Sequence, residues 1–375
     1  MNEEISAGRV WVKPDDPAFS YEGRIDFDNP QAPVFVYPCS YVSFVLRGKK
    51  AGIAIENHRA YFQNSLGVLV DGAYRGKFIL HDEPGLYVYD LSAFLEDGEH
   101  VVTVYKRMDA CHYFTFYGLV TEENAFVGKM IEKPARRMEV YGDSVSAGEV
   151  SEAVGRCGMS DPDGHDGIYS NSFYSYPWIL ARRLNARLHD IAQGGVSLHD
   201  GEGWFEMPNT VGMESCYDKI ELNPSLGERK PWDFEKYSPH VVLVAIGQND
   251  AHPEDYMAGD YDGEKAKGWR ADYAAFLGKL RSHYPKALIV CTTTILGHEP
   301  AWDQAIDQVC HDLGDSKIKH FMYSKTGCGT CGHIRIPEAE EMAAEMAEFL
   351  NGFGEEIWMD EGAKNGKDQK SSDHV

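Results

Sequence analysis

The chain has 375 residues, 43% of them hydrophobic and 12% aromatic, with 36 basic against 59 acidic side chains for a formal charge of −23. That length suits two domains with real cores, and the composition is globular rather than disordered. The charge repels nucleic acid and anionic membrane surfaces, so neither is expected as a partner.

Residues 1–130 read as an all-β domain. Runs at Tyr41–Leu46, Gly67–Val70, Leu86–Tyr89, His100–Tyr105 and Cys111–Val120 alternate or are rich in β-branched and aromatic residues, and Asp71-Gly72, Glu83-Pro84-Gly85 and Asp97-Gly98 punctuate them. Many short strands at close spacing predict a sandwich or jelly roll. Residues 131–137, polar and carrying Pro134, serve as a linker. From 138 to 355 apolar runs (Met138–Tyr141, Ala186–Ala192, Val241–Ile246, Ala287–Thr292, Ile318–Tyr323) alternate with helical patterns (Ser172–Leu184, Lys265–His283, Ala301–Leu313, Pro337–Leu350). Such alternation predicts a parallel sheet with helices on both faces. Residues 356–375 are charged and small and are expected to form a loose tail.

Met1 to Val10 holds two glutamates and no apolar segment, and no run approaches the roughly 20 apolar residues of a membrane span. No signal peptide is expected, and the eight scattered cysteines are taken as free thiols of a reducing, cytoplasmic setting.

In open α/β sheets ligands bind beyond the carboxyl ends of the strands. Four of those ends carry notable residues: Gly142-Asp143-Ser144, Gly194-Gly195, Gly247-Gln248-Asn249-Asp250, and Gly332-His333 before the last helix. Each alone reads as a turn. Together they supply a nucleophile, oxyanion donors and a base, which is what acyl transfer requires. Ser144 is the expected nucleophile and His333 the base. The N–H groups of Ser144 and Gly195 (Gly194 being the near alternative) and the Asn249 side chain are expected to hold the oxyanion. Trp204 and Trp302 follow strand ends and are candidates to stack on a sugar ring. Cys328-Gly-Thr-Cys331-Gly-His333 lacks a second ligand cluster, and Asp161-Pro-Asp-Gly-His-Asp-Gly167 lacks the glutamate that ends an EF-hand loop, so no metal and no cofactor are expected.

At these blocks the chain resembles the Ser-Gly-Asn-His hydrolase superfamily, whose flavodoxin-like sheet is the expected fold. It is more narrowly similar to the two-domain acetyl xylan esterases of carbohydrate esterase family 2. Arg136-Arg-Met-Glu-Val-Tyr-Gly-Asp-Ser144, Trp269…Tyr273…Phe276-Leu277…Tyr284-Pro285, Gly67-Val-Leu-Val-Asp-Gly72 and Leu95 to Arg107 carry that likeness. The resemblance implies a jelly roll followed by an esterase that removes O-acetyl groups from xylan-type or other plant oligosaccharides. The acetylated oligosaccharide is the partner it implies, with room left for a homo-oligomer. Alternatives are a hydrolase of the same superfamily on another small acyl ester or thioester, and a carbohydrate-binding protein with an idle hydrolase domain. The superfamily has an Asp three residues before the catalytic His, where this chain has Thr330. A backbone carbonyl near Cys328–Cys331, or Asp303 or Asp307, would then orient His333, and the carbonyl is favoured because no acid lies in the ten residues before it.

Overall fold

The structure, a computed structural model, describes residues 9–129 and 132–360. Its N-terminal part is a sandwich of two six-stranded antiparallel sheets. Asp71 and Gly72, with φ of 53° and 77°, make the tight turn between Ser65–Val70 and Ala73–Ile79, a conformation that Asp-Gly adopts readily. Alternate residues of the two sheets, including Val42, Phe44, Leu46, Val102 and Val104 on one and Ile53, Ile55, Phe114 and Phe116 on the other, close a single buried core. Each such side chain contributes about 1.5–3 kcal/mol relative to leaving it in water.

The C-terminal part is a five-stranded parallel sheet. Its strands are Arg136–Gly142, Ala186–Ala192, Val241–Ala245, Leu288–Thr292 and Ile318–His320, and the second lies outermost, beside the first. This 2-1-3-4-5 order is the flavodoxin-like one. Met138, Val140, Leu243 and Val290 point to one face and pack against helices Tyr176–Arg183 and Ile336–Asn351. Tyr141, Val242, Val244 and Ile289 point to the other and meet helices Glu264–His283 and Ala301–Asp312. The period of two along each strand thus fills both layers.

Two expected boundaries move. The first parallel strand begins at Arg136, and Arg136 and Arg137 pair with Ala186 and Arg187, so those two residues of the supposed linker belong to the sheet. The supposed tail still holds structure at its start. Residues Glu355–Trp358 form a short 3-10 helix, Trp358 is buried beneath the Arg136 guanidinium, and Glu355 accepts two hydrogen bonds from that same arginine. The rest of the tail, 361–375, lies outside the described residues.

The sandwich docks on the sheet through a buried ion pair. Arg24 donates to Glu139 Oε1 at 3.1 Å and to the Tyr141 hydroxyl at 2.7 Å, and the Tyr141 and Tyr284 hydroxyls both donate to Glu139 Oε1 at 2.6 Å. Removing one partner of such a pair typically costs about 3–5 kcal/mol, because the other charge stays buried. The docking brings sandwich residues 59–62 and Asp109 over the carboxyl ends of the parallel strands, where they share a cavity of about 760 Å³ with Ser144 and His333.

Candidate active site

The turn that carries Ser144 is built by close approach. A Cβ at Gly142 would lie 2.1 Å from Ser146 Oγ, so the strand can end here only in glycine. Asp143 then caps the four-residue helix Ser144–Ala147, its Oδ1 accepting the Val145 N–H at 3.0 Å. Its Oδ2 accepts from Gln248 Nε2 at 2.5 Å and Asn249 Nδ2 at 3.1 Å, tying the first strand end to the third. Burial pushes Asp143 up to about 6 in spite of these donors. Ser146, two residues on, is fully buried with its hydroxyl bonded to that of Tyr176 at 3.2 Å. Ser144 instead lines the cavity, and its own N–H is one of the donors that a helix start leaves without an intrahelical acceptor.

The glycine pair resolves itself. Gly194 N–H donates to Asp109 Oδ2 at 2.7 Å and is therefore engaged. Gly195, with φ of +74°, lines the cavity, and among the described residues its N–H has no acceptor. A Cβ there would strike Trp204 Cβ at 2.7 Å. Asn249 also lines the cavity, but both hydrogens of its amide are in use, one on Asp143 and one on the Val196 carbonyl at 3.0 Å. Serving an oxyanion means exchanging the Val196 bond.

His333 is oriented by a carboxylate of the Asp161–Gly167 run, Asp161. Asp161 Oδ2 bonds His333 Nδ1 at 2.6 Å, and Asp161 Oδ1 accepts the His333 backbone N–H at 3.0 Å. The buried Arg335 guanidinium donates to Oδ1 at 2.8 Å and to the His333 carbonyl. A Cβ on Gly332 would meet the Met159 carbonyl at 2.7 Å, so glycine lets the two loops touch. Three expectations are corrected here. Nδ1 is held by Asp161 rather than by a backbone carbonyl of 328–331. Asp303 binds His298 and Thr293. Asp307 faces His320. Asp161 lies 172 positions before His333, far outside the window in which the superfamily carries its acid.

Nε2, the second ring nitrogen, points into the cavity with Glu149 Oε2 at 3.7 Å. Burial would lower the imidazole, but the Glu149, Asp161 and Asp143 carboxylates outweigh it and raise it to about 9. The bonds from His333 and Arg335 overcome burial at Asp161 and hold it well below the usual carboxylate range. Burial raises Glu149 to about 7, with Asp109, Asp161 and Asp143 adding to the effect and His333 opposing it. Among the described residues no hydrogen bond joins the Ser144 hydroxyl to the ring; such pairs often tighten only once substrate is bound.

The two tryptophans part company. Trp204, 53% exposed, lines the cavity and lies against the His252 ring at 3.5 Å. Trp302 is fully buried, packed edge-on against Trp269 with its Nε1 donating to Asp255 at 3.1 Å, so it is a core residue and not a sugar platform. Cys328 and Cys331 are exposed, and all eight cysteines are unpaired. Among the described residues no three His, Cys, Asp or Glu side chains converge as a metal group would require.

A parallel sheet of this order, with Ser, Gly, Asn and His at its strand ends, is the architecture of the Ser-Gly-Asn-His hydrolase fold. Comparison with known proteins narrows the class. Residues 21–130 match the family model for the carbohydrate esterase 2 N-terminal domain. The chain is 27% identical over 360 residues to the cellulase/esterase CelE of Acetivibrio thermocellus, covering 91% of this chain and 40% of that protein. It is 24% identical over 278 residues to the acetylxylan esterase / glucomannan deacetylase of Cellvibrio japonicus, covering 74% of this chain and 71% of that one. A solved family two carbohydrate esterase from Clostridium thermocellum, in complex with cellohexaose, superposes with a TM-score of 0.73 at 23% identity, covering 91% of this chain and 100% of the other. Residues 21–130 thus match the N-terminal domain of carbohydrate esterase family 2, and the chain resembles that family's proteins over most of its length, while spanning less than half of CelE.

Proposed function

We propose that the chain is a serine esterase that removes O-acetyl groups from xylan-type or other plant oligosaccharides. The observation that carries this reading is one cavity holding Ser144 at a strand-end turn, His333 bonded to Asp161 through Nδ1, and a Gly195 N–H without an acceptor. The named activities of the two curated relatives support the same chemistry, and the cellohexaose in the solved relative supports a saccharide substrate.

In this mechanism Ser144 Oγ attacks the acetyl carbonyl as His333 Nε2 takes its proton. Asp161 holds the Nδ1–H tautomer and stabilises the imidazolium. The N–H groups of Ser144 and Gly195, joined by Asn249 Nδ2 when it gives up Val196, receive the oxyanion; losing one such donor costs about 3–4 kcal/mol of transition-state stabilisation. The imidazolium then protonates the departing sugar oxygen, leaving acetyl-Ser144. Water activated by the same Nε2 releases acetate. Trp204, on the cavity rim, offers its face to a sugar ring.

The test is hydrolysis of a chromogenic acetate and of acetylated xylo-oligosaccharides by the wild type and by Ser144→Ala. Turnover of both substrates by the wild type, lost in the folded variant, is expected. An inactive wild type, or an active Ser144→Ala, contradicts the proposal.

A further inference from the structure

The turn joining the sandwich strands Glu99–Lys106 and His112–Glu122 enters the cavity at Asp109. Asp109 is nearly buried and fully committed. Its Oδ2 accepts the Gly194 N–H at 2.7 Å and Gln193 Nε2 at 2.9 Å, and its Oδ1 accepts the Cys111 N–H at 3.2 Å. The Tyr61 hydroxyl, also from the sandwich, accepts from Gln193 Nε2 at 3.3 Å. The loop so gripped, Gln193-Gly194-Gly195, leaves the second parallel strand and runs beside the nucleophile, since a Cβ at Gly194 would lie 3.7 Å from Ser144 Cβ.

We infer that Asp109 is a positioning residue for the oxyanion donors, and that the sandwich domain is therefore a working part of the esterase site. Two successive amides compete for one acceptor. Free to turn, the Gly194–Gly195 peptides could present either N–H to the cavity. A carboxylate on the sandwich side takes the Gly194 N–H, and a charge-assisted bond of 2.7 Å is strong enough to fix it. The next N–H, on Gly195, is then left for the oxyanion. A carboxylate is needed because donors approach both of its oxygens; an amide would set its own N–H against one of them. The negative charge near a developing oxyanion is countered from behind. Lys106, fully buried, donates through Nζ to the Met108 carbonyl at 2.8 Å and to the Asp109 carbonyl, so its ammonium sits inside the same turn.

This inference rests on the esterase reading, and the test separates the two. Wild type, Ser144→Ala, Asp109→Ala and the near-isosteric Asp109→Asn are assayed on a chromogenic acetate, with rates expressed per folded molecule from near-ultraviolet circular dichroism. In parallel, the rate of Ser144 phosphonylation by a chromogenic methylphosphonate ester is followed, because that tetrahedral adduct also sets an oxygen among the oxyanion donors. Expected for Asp109→Ala is a fall in kcat on the order of 10²-fold, the effect of losing one oxyanion donor, with KM within about threefold of wild type. Asp109→Asn falls less, and phosphonylation slows in step with kcat in both variants. A purely structural role would lower the folded fraction and leave these per-molecule rates unchanged. If the wild type is active, Ser144→Ala is not, and the folded Asp109→Asn turns over and is phosphonylated within threefold of wild type, this inference fails alone. If Ser144→Ala is active, the esterase reading fails with it.

Discussion

Of the histidine–carboxylate pairs near the carboxyl ends of this sheet, two have closely similar geometry at one nitrogen. In one, Asp161 bonds His333 Nδ1 at 2.6 Å; in the other, Asp303 bonds His298 Nε2 at 2.9 Å. Both carboxylates raise their imidazoles against burial. They differ at the remaining nitrogen. His298 Nδ1 is closed off by the Leu296 carbonyl at 2.6 Å and the ring is buried, so the pair is a strut. His333 keeps Nε2 in the cavity with Ser144. A dyad becomes a base only when its second nitrogen faces a place where substrate fits.

Mutating the two rings should break that symmetry most sharply. His333→Ala is expected to lose roughly a millionfold in kcat, as when the base of a triad is removed. His298→Ala should keep kcat within severalfold and lower Tm instead, read by acetate hydrolysis and thermal melts side by side.

The tryptophans repeat the contrast between a sealed and an open side chain. Trp302→Ala should cost about 3–5 kcal/mol in denaturant unfolding, the range for emptying a buried aromatic site. Trp204→Ala should hardly change stability. It should raise KM for acetylated oligosaccharides while sparing KM for a small chromogenic acetate.

Glu149 sharpens the description of the open pair. With His333 at about 9, most rings are protonated at neutral pH, so kcat/KM should climb through an acid limb near that value. In Glu149→Gln the imidazolium loses a carboxylate 3.7 Å from Nε2, and its pKa falls. The limb should then move to lower pH by about one unit, visible in a pH–rate profile of kcat/KM. A limb that stays put would show that Glu149 does not act on the base.

Much of this was legible in the residues. The alternating runs located every strand of the parallel sheet and its four long helices to within a few positions, because period and punctuation are local. The places of Ser144 and His333 at the cavity were legible for the same reason: each sits where a strand-like or helix-like pattern breaks. Asp161 was not, since its pairing depends on a loop folding back across 172 residues, and its Asp-Pro-Asp-Gly setting reads as a solvated turn. Trp302 left a signal that went unused. With Ala305, Ile306 and Val309 it falls at i, i+3, i+4 and i+7, the stripe a helix buries. The grip of Asp109 on Gly194 joins two domains, and no local pattern announces it.

Replacing each acid by its amide decides which carboxylate serves the base. Asp161→Asn and Asp303→Asn are to be compared in kcat on a chromogenic acetate, with folding checked by near-ultraviolet circular dichroism. A loss of about 10⁴-fold in folded Asp161→Asn, with Asp303→Asn within tenfold of wild type, is the predicted result. Near-native turnover in Asp161→Asn, or the large loss falling on Asp303→Asn, would contradict it.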